Sequence, residues 1–218
     1  MDACAAAHAL DLVGERWALL VVRELMFGPK RFTDLRAGIP DVSADVLGRR
    51  LRELGSTGVV RRRKLPPPAG SWVYELTDWG SELEPVVVAL GRWGSRSPLH
   101  RVDGELGVDS LALAFRADFD PDAAGDLRAT YELRFGESRF HVEVADGQIH
   151  IDRGSADDPD ATVESDPGTF ASLLWGGRPL DDAVRAGAIS IEGSTAAVER
   201  FLGLFPLPER AAAPDGAG

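Results

Sequence analysis

Between Arg31 and Lys64 the chain runs through a short amphipathic segment, a break, a longer amphipathic segment and a basic strand, an order that few folds can satisfy. Arg31–Arg36 (RFTDLR) sets Phe32 and Leu35 three apart on one face of a short helix, and Gly38-Ile39-Pro40 stops it. Ser43 then opens a second helix as its N-cap. Val46, Leu47, Leu51 and Leu54 form the buried face of that helix, while Asp45, Arg49, Arg50, Arg52 and Glu53 point elsewhere; Gly55 and Gly58 end it. Two strands follow, Val59–Leu65 and Ser71–Thr77, joined by Pro66-Pro67-Pro68-Ala69-Gly70.

A short helix, a tight turn and a second helix with an arginine-rich face make a helix-turn-helix, whose second helix lies in the major groove of DNA. The strand after it carries Arg61, Arg62, Arg63 and Lys64 in succession, the composition of a wing that lies along phosphates. A solvated charged hairpin would show the same run, but its place directly after the helical pair favours DNA contact. Arg49 and Arg50 can each form bidentate bonds to guanine O6/N7 or bind phosphate, and each lies within helical reach of a carboxylate, Asp45 or Glu53. Thr33 and Ser43 can donate to phosphate at helix N-termini. Upstream, Glu15–Met26 reads as a largely buried helix that stops at Phe27-Gly28-Pro29.

These residues resemble the HxlR-type winged-helix transcriptional regulators over about residues 4–95. The likeness is carried by Cys4, Ala9-Leu10-Asp11-Leu12-Val13-Gly14, Arg16-Trp17, Leu19-Leu20, Arg23-Glu24-Leu25, Gly28-Pro29, Arg31-Phe32-Thr33-Asp34-Leu35, Ser43–Val59, and Tyr74-Glu75-Leu76-Thr77 before Gly80. The resemblance implies a recognition helix over Ser43–Leu54, a wing over Arg61–Tyr74 and a homodimer paired through terminal helices. Those helices would be the segment near Ala5–Leu12 and a helix over Trp79–Trp93, with Leu83, Val86, Val87, Leu90 and Trp93 as its apolar stripe. Asp45 departs from the pattern, because a cation or neutral residue is commoner at that groove-facing turn. In some members of the family a cysteine at the place of Cys4 senses oxidants or electrophiles, and His8 stands one helical turn away. A small apolar residue in a dimer interface is the favoured account of Cys4.

Charge separates the halves of the chain. Residues 1–100 carry net +2 and residues 101–218 net −13 of the total of −11, which marks two domains built for different partners. The single cysteine excludes an intramolecular disulfide and any cysteine-based zinc cluster. No bilayer-length apolar run or leader-like N-terminus is present, so a cytoplasmic protein without membrane contact is expected. Twenty-two arginines against two lysines suit a GC-rich bacterial coding sequence.

In the second half, Leu111–Ala117 fits a helix, although the alternation of Leu111, Leu113 and Phe115 also allows a strand. Tyr131–Phe135, Phe140–Val144 and Ile149–Ile151 alternate as three antiparallel strands, the last two joined at Asp146-Gly147. A two-residue turn there sets Glu143 opposite His150 and His141 opposite Asp152. Solvated cross-strand pairs explain these four residues without a metal. A further strand (Ala161–Glu164), helices opened by Asp166-Pro167 and Ser194, a short helix at Leu180–Ala186 and a small strand at Ile189-Ser190-Ile191 complete the order. This order resembles the sterol carrier protein type 2-like fold over about residues 108–206. Pro159-Asp160-Ala161-Thr162, Asp166-Pro167-Gly168-Thr169-Phe170, Gly176-Gly177-Arg178-Pro179-Leu180, Ala186-Gly187-Ala188-Ile189 and Ile191-Glu192-Gly193-Ser194 carry the likeness. The resemblance implies an apolar cavity, with Phe170, Leu174, Trp175, Phe201, Leu202 and Phe205 lining it above Phe115, Tyr131 and Phe140.

The expected fold is therefore α+β in two domains: a winged helix-turn-helix over 1–97, a linker over 98–107, a sterol-carrier-like mixed sheet covered by helices over 108–206, and a flexible tail over 207–218. The expected function is transcription regulation, in the sense of a repressor, with double-stranded operator DNA, a second copy of the chain and a hydrophobic effector (fatty acyl, polyketide or sterol-like) as partners. No nucleophile–base or phosphate-loop signature supports an enzyme, and no cofactor is implied. The alternatives are a lipid carrier dimerised by a winged helix without an operator, and a hydrolase or transferase using His141, His150 and a metal.

Overall fold

The computed structural model describes residues 3–100 and 106–212, so the expected linker and tail lie partly outside the described residues. The chain divides into two units, Met1–Val87 and Val88–Gly218.

The first unit begins with α1 (Ala5–Val13), which closes at Gly14, where a Cβ would stand 2.5 Å from the Leu10 carbonyl oxygen. After it, α2 is Ala18–Leu25, shorter than the helix expected from Glu15, because Glu15–Trp17 form a turn. Ala18, Val21, Val22 and Leu25 of α2 are buried with Leu35 and Ile39, at and just beyond α3 (Phe32–Gly38), and with Leu47, Leu51 and Leu54 of α4 (Ala44–Ser56). Full burial of one such side chain is worth about 1.5–3 kcal/mol before chain entropy is counted.

Glu24 is buried in this core. Its carboxylate accepts from Arg23 Nη2 at 2.8 Å and Lys30 Nζ at 2.5 Å, and Arg23 also donates to the Gly38 carbonyl at 3.1 Å. Lys30 exchanges backbone bonds with Tyr74, so one network joins α2, α3 and the wing. A Cβ at Gly38 would fall 2.0 Å from Glu24 Oε2.

Ser43 caps α4, accepting from the Val46 N–H at 3.3 Å. The wing is β1 (Val60–Lys64) antiparallel to β2 (Trp72–Leu76), with Arg61 opposite Glu75, Arg62 opposite Tyr74, Arg63 opposite Val73 and Lys64 opposite Trp72. The single helix expected over Trp79–Trp93 is two helices, α5 (Asp78–Ser81) and α6 (Glu84–Ser95). Thr77 caps α5, and Pro85, which has no N–H to donate, fits only in a first turn; a new helix starts there.

In the second unit the ambiguous Leu111 segment is helical: α7 (Val108–Asp118) buries Leu111, Ala112 and Phe115, and Arg116 Nη2 donates to the Ile151 carbonyl at 2.6 Å. Next come α8 (Pro121–Ala124), β3 (Ala129–Phe135), β4 (Ser138–Ala145), β5 (Gln148–Arg153), β6 (Ala161–Ser165), α9 (Pro167–Leu174), α10 (Leu180–Arg185), β7 (Ile189–Gly193) and α11 (Thr195–Leu202). The sheet order is β5-β4-β3-β6-β7, with β3 and β6 parallel and the other pairs antiparallel. Asp146 and Gly147 have φ of 53° and 69°, the left-handed pair that a two-residue hairpin turn requires.

The expected aromatic tunnel is closed by its own rings. Phe115 packs on Phe170, Phe201 and Phe205 with centroids 5.7, 5.6 and 5.0 Å apart, Tyr131 lies 4.7 Å from Phe201, and Phe140 lies 6.4 Å from Phe135. All of these side chains are buried, and their edge-to-face and tilted contacts pack the rings against one another. Among the described residues, no helix is long and apolar enough to cross a membrane.

Candidate DNA-reading surface and ligand cavity

Neighbouring arginines on α4 have different surroundings. Arg49 is exposed and, among the described residues, makes no ion pair. Arg50 is 6% exposed; it donates to Glu53 one turn along the helix and to Glu15 at 3.2 Å, so its guanidinium is engaged in ion pairs within the unit. The reason is helical phase: a step of one residue turns the side chain from solvent to the α2–α4 side, where Leu47, Leu51 and Leu54 are buried. Ser43 and Asp45 are exposed in the first turn of α4, and Thr33 is exposed at the start of α3, its hydroxyl donating to Asp34 at 3.2 Å.

Strand alternation divides the four cations of the wing. Arg61 and Arg63 share a face with Glu75, which accepts from Arg61 Nε at 2.7 Å and from Arg63 Nη2 at 2.7 Å. The bond from Arg63 holds the Glu75 carboxyl below the usual carboxylate range. Arg62 and Lys64 occupy the other face with Trp72 and Tyr74; the Arg62 guanidinium carbon lies 4.5 Å from the Trp72 ring centre and 6.0 Å from that of Tyr74. Arg49, Arg62 and Lys64 are thus exposed cations with no carboxylate partner among the described residues, as is Arg52 on α4.

The second unit holds a cavity of about 420 Å³ away from the aromatic core, walled by Gly91, Leu113, Ala114, Ala117, Trp175 and Leu207, with Ser95, Asp118, His100 and Arg210 among its polar groups. Of the nine residues expected to line a cavity, Trp175 is the one that lines this cavity; Leu174 and Leu202 are half-buried. Ser95 Oγ donates to Asp118 at 3.4 Å, and burial pushes the Asp118 carboxyl up. Residues 207–212 form neither helix nor strand, yet the Ala211 N–H donates to the Arg96 carbonyl at 2.8 Å.

Residues 12–100 match the model of the HxlR-like helix-turn-helix family. The HTH-type transcriptional regulator YvaP of Bacillus subtilis is 37% identical over 87 residues, covering 40% of this chain and 81% of the relative. The chain belongs to the HxlR-like helix-turn-helix family. YodB of B. subtilis, an HTH-type transcriptional regulator, is 36% identical to this HxlR-family chain over 40% of it and 79% of the relative. The solved reduced form of YodB covers 45% of the chain and 97% of its own at 33% identity, with a TM-score of 0.41. Residues 101–211 match the alkyl sulfatase C-terminal family, to which the second part of the chain belongs. That name differs from the sterol carrier likeness, which rests on the sequence motifs.

In this HxlR-type, DNA-binding transcriptional regulator, Cys4 is exposed at the N-cap of α1, and backbone N–H groups of Ala7 and Ala6 lower its thiol pKa. Val86, Leu90 and Trp93 of α6 are exposed as the expected stripe, whereas Val87 is buried. His141 stands opposite Asp152 and Glu143 opposite His150, as the turn geometry requires, and among the described residues no group of three metal-ligating side chains forms. Sequence reasoning missed buried Glu24 and the cavity. Glu24 has a sequence signal in Arg23 and Lys30 nearby; a cavity has none, because it depends on how separate helices meet.

Proposed function

We propose that this regulator is a homodimeric repressor that reads a pseudo-palindromic operator through α4 and the wing, and that its second domain, sterol-carrier-like in its motifs, takes up a hydrophobic small molecule. Ligand uptake alters repression by favouring one of two states that differ in DNA affinity, since only differential affinity can move such an equilibrium. One observation carries the DNA-reading assignment: of the neighbouring pair Arg49 and Arg50, Arg49 is exposed and without a carboxylate partner among the described residues. Its guanidinium is free to form the bidentate bond that guanine accepts. Ser43, Thr33, Arg62 and Lys64 bind phosphates around it, and Asp45 disfavours close phosphate approach at the first turn. The exposed Val86, Leu90 and Trp93 pair two copies.

The test is a gel-shift titration with DNA from upstream of the protein's own gene. The native chain retards a discrete fragment, and Arg49→Glu loses that retardation while unfolding at the native temperature. Sequence-specific retardation by the folded variant would remove α4 from the groove.

A second input is favoured by the capping position of Cys4, since a thiol of lowered pKa at a helix N-terminus reacts with electrophiles as the thiolate.

A further inference from the structure

The proposed regulator takes up a hydrophobic effector, and the following rests on that reading while moving the site away from the aromatic core. We propose that the effector site is the cavity at α7 and Trp175, and that its ligand is an uncharged apolar molecule bearing a carbonyl-type oxygen that accepts from the Trp175 indole N–H.

Three observations support this site. The volume, about 420 Å³, lies within the range of small-molecule sites, and the wall is mostly apolar, from Leu113, Ala114 and Ala117 of α7 and Leu207. Trp175 lines the cavity, and its Nε1 is buried with no acceptor. Native interiors seldom leave such a donor unmet, and a small turn of the indole toward the cavity would bring it to a ligand oxygen. The walls also carry small side chains: a Cβ on Gly91 would stand in ordinary contact, 3.6 Å from that of Ala117, and with Ala114 these positions leave space that larger side chains would occupy. Charged or chargeable groups of both signs, Asp118 against His100 and Arg210, border the cavity, so they select no ionised head group, and the indole offers one neutral donor, which suits a carbonyl.

The site also touches the helix expected to pair two copies. Gly91 and Ser95 line the cavity from α6, which carries exposed Leu90 and Trp93.

The test uses the full chain and two neutral dyes, Nile red, which carries a carbonyl, and diphenylhexatriene, which has no acceptor. Both bind the native protein. Trp175→Phe weakens Nile red by about tenfold, the scale of one hydrogen bond, and leaves diphenylhexatriene within about twofold. Ala114→Trp fills the cavity and removes both dyes, with a thermal melt confirming the fold; should it not fold, Trp175→Phe decides alone. Unchanged binding of both dyes to Trp175→Phe and folded Ala114→Trp would overturn the site, and equal weakening of both by Trp175→Phe would overturn the hydrogen bond. Gel shifts on the same variants separate this from the DNA-reading proposal: intact operator retardation with lost dye binding tells against neither, whereas absent retardation by the native chain tells only against the operator.

Discussion

Arg50 Nη2 and Glu15 Oε2 are joined at 3.2 Å across thirty-five positions of sequence, and this bond engages Arg50 while its neighbour Arg49 stays exposed. Glu15 belongs to the turn between α1 and α2, so Arg50 fastens that turn to α4. Arg49 has no such duty.

Separate alanine substitutions will therefore have opposite signatures. Arg49→Ala leaves thermal stability unchanged and costs about 1–3 kcal/mol of discrimination against operator mismatches. Arg50→Ala loses its buried stem and both ion pairs, lowering stability by about 1–2 kcal/mol, with operator affinity retained at temperatures where the variant is folded. Urea melts and anisotropy titrations on both proteins check this; a stability loss confined to Arg49→Ala would reverse the assignment.

Glu75 neutralises part of the wing. Glu75→Gln releases Arg61 and Arg63, so binding to arbitrary-sequence duplex tightens and the plot of log K against log salt steepens by about one unit. A slope equal to that of the native chain would show that these arginines never reach phosphate.

Gly38→Ala puts a methyl group where the Glu24 carboxylate stands, 2.0 Å from Oε2. Glu24 must then leave Arg23 or Lys30, and breaking a buried pair costs about 3–5 kcal/mol. The urea midpoint should fall accordingly, and a native midpoint would mean that the carboxylate has another resting place.

Asp166 caps α9, and the bonds from the Thr169 hydroxyl and N–H hold its carboxyl below the usual range. A depressed folded-state value contributes stability that is present above the unfolded value and is lost as pH falls through the folded one. Asp166→Ala should thus cost about 1 kcal/mol at neutral pH, with a deficit that shrinks as acid protonates the native cap. Parallel denaturant titrations between neutral and acidic pH measure it; a constant deficit would point to packing.

Local chemistry made much of this fold legible. Ser43 and Asp166 announce helix starts, and Asp146-Gly147 specifies a turn whose register then places His141 against Asp152. What sequence could not show depends on distance. Arg50 offered Glu53 at helical spacing but gave no hint of Glu15, and the alternation of Arg61, Arg62, Arg63 and Lys64 hid the fact that a single carboxylate occupies one face. The aromatic set misled for a related reason: Phe115, Phe170, Phe201 and Phe205 are apolar whether they surround a hole or fill one, and only three-dimensional packing distinguishes the two.

Arg62 lies against Trp72 and Tyr74, and that stacking has a consequence for the wing beyond charge. A long side chain held on an aromatic face has surrendered much of its rotational freedom before any phosphate arrives. The ordering cost of closing on DNA is smaller for Arg62 than for an unstacked guanidinium such as that of Arg49. In the proposed complex the two rings of β2 would thereby make the ribbon a stiff gauge of where the backbone of the duplex lies.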